Sequence, residues 1–304
     1  MIKRESLEKF SEVDLDLMPD IESFKADLTQ LDEINFQGFS EREIYDKIYD
    51  FGRIMPSHHL MMSKENFNKF TFFRARLNID RKKEDTSLIQ TYSCPPSGVC
   101  KSNGRANLKY KSVFYCSNEP HAAIVESKPE VGSEGYLSFW KADAKRSIKM
   151  GNCLPYELPA VNEWSEFASY MFDEMQTGLK LMNARDKIKH FVMMNRFIAQ
   201  KFKEEKEPYY ISSTISDIFL FDGLWHDFLI YPSVMADLKC CNMVFHPNSV
   251  NENLKFNKVV KFKVKKIDGE LMHLKFGKVG YIENTKMKWR KISKEETKYF
   301  NQID

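Results

Sequence analysis

Residues 104 to 127 read GRANLKYKSVFYCSNEPHAAIVES, and the character of the whole chain can be worked out from them. Gly104 allows a tight turn that presents Arg105 and Asn107, a guanidinium and an amide suited to anionic or sugar oxygens. The apolar run SVFYC then reads as a strand with Tyr115 near its end, an aromatic ring able to stack on another. Pro120 suits the first position of a helix. Ala122, Ala123, Ile124 and Val125 form the packing side of that helix, and Glu126 is a carboxylate left at its polar edge. Short strands mixed with helices make α+β the expected fold class.

Working outward, the aromatic stretch FNKFTFFRARLN at 67 to 78 alternates large and charged residues, so Arg74 and Arg76 share one face of a strand. Two cations on one face suit a diphosphate, although arginines on a strand are more often simply solvated. Downstream, two amphipathic helices are expected over about 162 to 183 and 185 to 206. Trp164, Phe167, Met171, Met175 and Leu179 stripe the first, and Ile188, Phe191, Asn195 and Ile198 the second; such stripes are core contacts. The run LIYPSV at 229 to 234 is a strand cut off by Pro232, which places Ser233 just past a strand end, where active-site residues often lie.

At 304 residues, 42% hydrophobic and 29% charged, the chain can bury a core of its own. Its first residues, MIKRESLEKFSEVDLD, lack the apolar core of a signal peptide, and no apolar run approaches the roughly 18 residues of a membrane span, so a cytoplasmic location is expected. The six cysteines are scattered without zinc-ligand spacing and are expected to be reduced thiols.

Charge is distributed unevenly. Residues 1 to 254 hold 32 Lys+Arg against 37 Asp+Glu, a net of −5, whereas 255 to 298 hold 14 against 5, a net of +9. In that basic part Val260, Phe262 and Val264 alternate with Lys261, Lys263 and Lys265, the pattern of a strand with one solvated face, and Asp268 and Gly269 are expected to form the hairpin turn. Three parts result: a helical N-terminal extension over 1 to 66, a main domain over 67 to 250 with its helical insert, and a basic β region over 251 to 304. In the first, Ser40 and Glu43 make a capping box ahead of the stripe Ile44, Ile48, Phe51 and Ile54.

Taken in order, an aromatic-Arg strand, a GRxN turn, a Tyr-ending strand, an Ala-Ile-x-Glu helix and a distant Tyr-Pro-Ser resemble the RES domain, a bacterial family named for its Arg, Glu and Ser. The Pro-Pro pair in CPPSGVCKSNGRAN is similar to the family's longer variant, and the resemblance covers roughly 70 to 248. It implies an ADP-ribosyltransferase-like mixed β core and an enzyme that degrades NAD+, a hydrolase often acting as the toxin of a toxin-antitoxin pair. Carried over, the family's arginines fall on Arg74 and Arg105, its tyrosine on Tyr115, its glutamate on Glu126 and its serine on Ser233. Glu126, Arg74 and Ser233 are then the expected catalytic residues, with Arg74, Arg105, Asn107, Tyr115 and Ser233 contacting NAD+. No metal is expected and no cofactor beyond NAD+ as substrate. Inorganic phosphate is a candidate acceptor and a helix-turn-helix antitoxin a candidate partner; neither a membrane nor, for this chain alone, nucleic acid is expected. Transfer of ADP-ribose to a macromolecule and a non-catalytic interaction or nucleic-acid-binding module are the alternatives. Two departures stand out: LKYKS occupies the turn where members carry glycine, and Phe228 in HDFLIYPS stands at another expected glycine, with Asp222 and Gly223 as a competing register.

Overall fold

Strands that are buried at every position can lie only in the middle of a sheet covered on both faces, and two such strands organise this chain. The computed structural model describes residues 15 to 52, 59 to 222, 225 to 269, 271 to 284 and 286 to 300. In chain order the elements are α1 (Ile21–Glu33), α2 (Glu41–Gly52), β1 (His59–Met62), α3 (Lys64–Phe67), β2 (Thr71–Leu77), β3 (Phe114–Ser117), α4 (Pro120–Glu126), β4 (Glu134–Ala142) and β5 (Ile148–Asn152). There follow α5 (Ser165–Leu181), α6 (Ile188–Glu204), α7 (Tyr210–Leu220), β6 (Phe228–Pro232), β7 (Cys241–Phe245), α8 (Pro247–Asn253), β8 (Leu254–Asp268), β9 (Leu271–Glu283), β10 (Lys286–Lys291) and α9 (Lys294–Phe300). The protein is α+β. Its strands form one sheet in the order β1-β5-β6-β7-β3-β2-β4-β8-β9-β10, antiparallel except for the β5–β6 pair.

β6 and β7 are buried at every position. On one face Phe228 stacks on Phe245 at 4.7 Å, in a cluster with Phe72, Phe114, Trp164 and Phe167. On the other, Leu229, Tyr231 and Val244 pack with Phe202, Ile215 and Phe219 of α6 and α7 and with Phe24 and Ile48 of α1 and α2. Phe228 is therefore a core residue, and a glycine there would leave a large void. The N-terminal helices follow their expected chemistry. Ser40 N donates to Glu43 Oε2 at 2.8 Å and Glu43 N to Ser40 Oγ at 3.2 Å, and Ile44 and Ile48 are buried. Ile54, the Phe51 side chain and Gly223 lie outside the described residues.

The two long helices of the insert lie where their stripes put them, with Trp164, Phe167, Met171, Met175, Leu179, Phe191, Asn195 and Ile198 buried and Ile188 half-buried. A third helix, α7, was not expected. Its sequence YISSTISDIFL is rich in Ser, Thr and Ile, poor helix formers, and burial from Ile211 to Leu220 overrides that propensity. The first 66 residues also hold β1 and all but the last residue of α3, and β1 pairs with β5. The C-terminal strands continue the same sheet, β8 pairing with β4 from Leu254 to Lys263. Their turn comes one residue later than expected: Asp268 still pairs with Leu271, and Gly269 takes the left-handed backbone at φ 60°. All six cysteines are free, with Cys116, Cys153 and Cys241 buried. No helix among the described residues is long and apolar enough to cross a membrane.

Candidate active site

The site begins where the sheet splits. β2 pairs with β4 along its whole length but with β3 only at Phe73–Ser117. Where the ladder would continue to Ala75 and Tyr115 the strands have parted, and Arg74 Nη1 donates to the Tyr115 carbonyl at 2.9 Å. The guanidinium lies 5.4 Å from the centre of the Phe114 ring, and its Nε is buried with no hydrogen-bond partner among the described residues. Burial lowers the Arg74 pKa from its ordinary value. Arg76, on the same face of β2, is committed elsewhere: it pairs with Glu84 at 2.6 Å and donates to the Thr91 carbonyl at 2.6 Å. A pair of free cations on β2 is therefore not what the fold presents.

The GRAN turn is tied to the strand that follows it. Gly104 N donates to Asn107 O at 2.9 Å; Ala106 N donates to the Tyr115 hydroxyl at 2.8 Å, and that hydroxyl donates to Asn107 Oδ1 at 2.9 Å. A Cβ on Gly104 would stand 2.4 Å from Asn107 Oδ1 and 2.7 Å from the Tyr115 hydroxyl, so this approach requires glycine. Asn107 Nδ2 donates to Leu108 O at 2.9 Å. Asn107 thus sits behind Tyr115 as a brace of the turn. Arg105 leans on the helical insert, its Nη1 donating to Phe202 O at 2.5 Å and its guanidinium lying 4.9 Å from the Tyr209 ring centre. Tyr110, in the turn where RES members carry glycine, adopts φ 60°, the backbone glycine reaches most easily.

Glu126 closes α4. Pro120 stands at the start of this helix, Ala122, Ala123 and Ile124 are buried, and Lys128 at φ 51° with Pro129 behind it stops the helix directly after the carboxylate. Glu126 Oε1 accepts from Ser233 Oγ at 2.6 Å and from Asn242 Nδ2 at 2.8 Å. Both bonds fall on one oxygen, which leaves Oε2 without a hydrogen-bond donor among the described residues. Ser233, fully buried, follows β6, and Asn242 lies on β7 opposite Tyr231.

These segments meet at a cavity of about 420 Å³, lined by Arg74, Arg105, Tyr115 and Glu126 together with Tyr209, Tyr231 and Asn242. Ser233 and Asn107 stand one layer behind it, each bonded to a lining residue. Burial pushes the Tyr115 and Tyr231 hydroxyls up from their ordinary value, which makes ionisation of either still harder. Tyr115 offers the cavity its ring, its hydroxyl being spent on the turn. Tyr231 enters the sequence pattern only as part of the Tyr-Pro-Ser motif, with no site role, and Tyr209 and Asn242 escape a reading of the sequence altogether. Asn242 did carry a signal, a polar residue inside the apolar run CCNMVF, because a buried amide needs a partner.

No family profile matches the chain, and no curated protein matches it.

Proposed function

We propose that the protein cleaves NAD+ at the bond between nicotinamide and ribose, by hydrolysis or phosphorolysis. The observation that carries the proposal is the convergence of Arg74, Arg105, Tyr115 and Glu126, from four separate segments, on one cavity with Ser233 bonded to Glu126. Breaking this bond releases neutral nicotinamide and leaves a ribosyl group with oxocarbenium character, so the protein has no leaving group to protonate. It must hold negative charge beside the ribose and anchor the anionic diphosphate. Glu126 Oε2 supplies the charge and can accept from ribose hydroxyls, while Oε1 is held in place by Ser233 and Asn242. Arg74 and Arg105 supply the cations, and Tyr115 an aromatic face for the nicotinamide. Water or phosphate then takes the ribosyl carbon.

The resemblance to RES proteins extends this reading to an ADP-ribosyltransferase-like core and a role as the toxin of a toxin-antitoxin pair in the cytoplasm. A second reading has an observation of its own. A groove of about 1130 Å³ shares Phe73, Lys128 and Met235 with the cavity and has room for a macromolecular acceptor of ADP-ribose. The test is direct: purified protein given NAD+ should release nicotinamide, with water or phosphate as acceptor and with chelator present. NAD+ left intact under both conditions, and also in lysate that supplies macromolecular acceptors, overturns the enzyme reading. Label from NAD+ appearing on protein or nucleic acid moves the assignment to transfer.

A further inference from the structure

Cross-strand register turns the basic C-terminal part into an ordered surface. Lys261 of β8 lies directly opposite Lys278 of β9, which lies opposite Lys291 of β10, so three lysines form one row across three strands. In the next row Lys263 lies opposite Lys275. Like charges directly opposite each other destabilise a sheet, and here the arrangement occurs in consecutive rows. Lys261 pairs with Glu134 at 2.5 Å, and Glu134 also lies opposite Lys263. Lys275, Lys278 and Lys291 are exposed and have no ion-pair partner among the described residues. Protection of a sheet edge accounts for Lys291 on β10 and for Lys275, where β10 no longer covers β9, but not for Lys261, Lys263 and Lys278, each of which has a paired strand on both sides.

We propose that this face of β8, β9 and β10 binds the phosphate backbone of a nucleic-acid duplex, without reading its sequence. Neighbouring strands lie about 4.8 Å apart and successive residues on one face about 7 Å apart, so the five lysines cover roughly 10 by 7 Å. Duplex grooves are about 6 and 12 Å wide, and a patch of this size meets phosphates on both sides of one. Across β8, β9 and β10 the rows consist of lysine alone, with Glu134 of β4 at their border. Protein interfaces are depleted in lysine and centred on apolar and aromatic residues, which argues against an acidic protein as the occupant. Single-strand sites add exposed aromatic platforms, whereas the nearest rings, buried Tyr136 and half-buried Trp289, pack edge to face on each other at 5.8 Å beside the strip. The duplex is the polyanion that needs only a rigid array of cations.

The proposal is independent of NAD+ chemistry, and its test separates the two. Binding of a labelled mixed-sequence DNA duplex to the full chain, followed by anisotropy across a salt series, should show log K falling against log salt with a slope of about −4, for four to five neutralised phosphates. The triple variant Lys263→Glu, Lys275→Glu, Lys278→Glu should bind at least about 30-fold more weakly at low salt, with NAD+ cleavage unchanged within a few-fold. The triple Gln variant guards against misfolding: it removes repulsion instead of adding charge, and its binding should fall about 10-fold. No duplex binding by the parent protein, equal binding by the Gln variant, or polyglutamate bound as tightly as the duplex would each overturn the proposal. Failure to cleave NAD+ with salt-dependent duplex binding intact would remove the enzyme reading and leave this one standing.

Discussion

Around Glu126 and along the lysine rows, the same sheet handles charge in opposite ways. In the cavity nearly every polar group is committed: Arg74 to the Tyr115 carbonyl, Arg105 to Phe202 O, the Tyr115 hydroxyl to Asn107, and Glu126 Oε1 to Ser233 and Asn242. On β9 and β10, Lys275, Lys278 and Lys291 stand beside one another without counter-ions among the described residues. The first arrangement fixes a small number of atoms in space at the cost of desolvating them. The second leaves charge in water, where geometry is loose and the field reaches only about 10 Å at 0.1 M salt. Chemistry at a single bond needs the former, and attraction of a polyanion needs only the latter.

The sharpest way to break the comparison is Glu126→Gln. The amide keeps the size of the side chain and an oxygen that can accept from Ser233 and Asn242, so the fold should hold while the charge is lost. Turnover should fall about 100-fold or more with NAD+ still bound. Unchanged turnover in a folded variant would end the role assigned to Glu126.

Next in size is the pair of donors behind it. Ser233→Ala and Asn242→Ala each remove one of two bonds to Oε1, and each should lower kcat by about 10-fold, in line with the loss of one hydrogen bond to a charged group. KM should change little, because both residues position the carboxylate and only Asn242 also lines the cavity. A rise in KM at constant kcat for Ser233→Ala would show that it contacts substrate instead.

The contrast between the two regions also separates what sequence patterns carry from what they do not. Arg105, Tyr115 and Glu126 stand in one continuous motif, each with a local cause: a glycine turn, a strand and a proline-started helix. Arg74 and Ser233 were recognisable from strand alternation and from the proline that cuts off β6. Asn242 and Tyr209 reach the cavity through pairing with distant elements, and no local period reports such pairing. Helix α7 reads against its own propensity and exists because tertiary burial outweighs a few tenths of a kcal/mol per residue. The lysine alternation was visible on β8, yet the rows depend on the register of three strands, which includes the irregularity between Lys261 and Phe262.

Those rows make a smaller and opposite prediction about stability. Lys263→Gln with Lys275→Gln removes one directly opposed pair, worth about 0.2–1 kcal/mol. The melting temperature should rise by up to a few degrees, since about 1 kcal/mol corresponds to roughly 2–4 °C at 150–250 residues and less for a longer chain. The gain should shrink as salt is added. A fall in melting temperature at low salt would mean that the opposed lysines are not repelling each other.

The smallest expected effect concerns a second capping box at the far end of the chain, where a carboxylate outside the cavity is held by charge. Ser293 N donates to Glu296 Oε2 at 2.8 Å and Glu296 N to Ser293 Oγ at 3.1 Å, the same exchange as Ser40 and Glu43 make at α2. Arg290 adds what the N-terminal box lacks, a guanidinium bonded to both oxygens of Glu296 at 2.7 and 2.8 Å. The Arg290 bonds, helped by Ser293 and Tyr281, lower the Glu296 pKa from 4.5 to about 2. A carboxylate whose folded pKa is depressed stabilises the fold above its unfolded pKa, and that contribution is lost as pH falls through the folded value. Docking of α9, which buries Phe300 between Phe139 and Phe276, should therefore weaken between about pH 4.5 and 2. Glu296→Gln should lower the melting temperature by a degree or two at pH 7 and by progressively less as pH falls through 2, below which the native side chain is also neutral. A difference between the two proteins that stays constant across this range would assign the loss to packing and deny the carboxylate its electrostatic role.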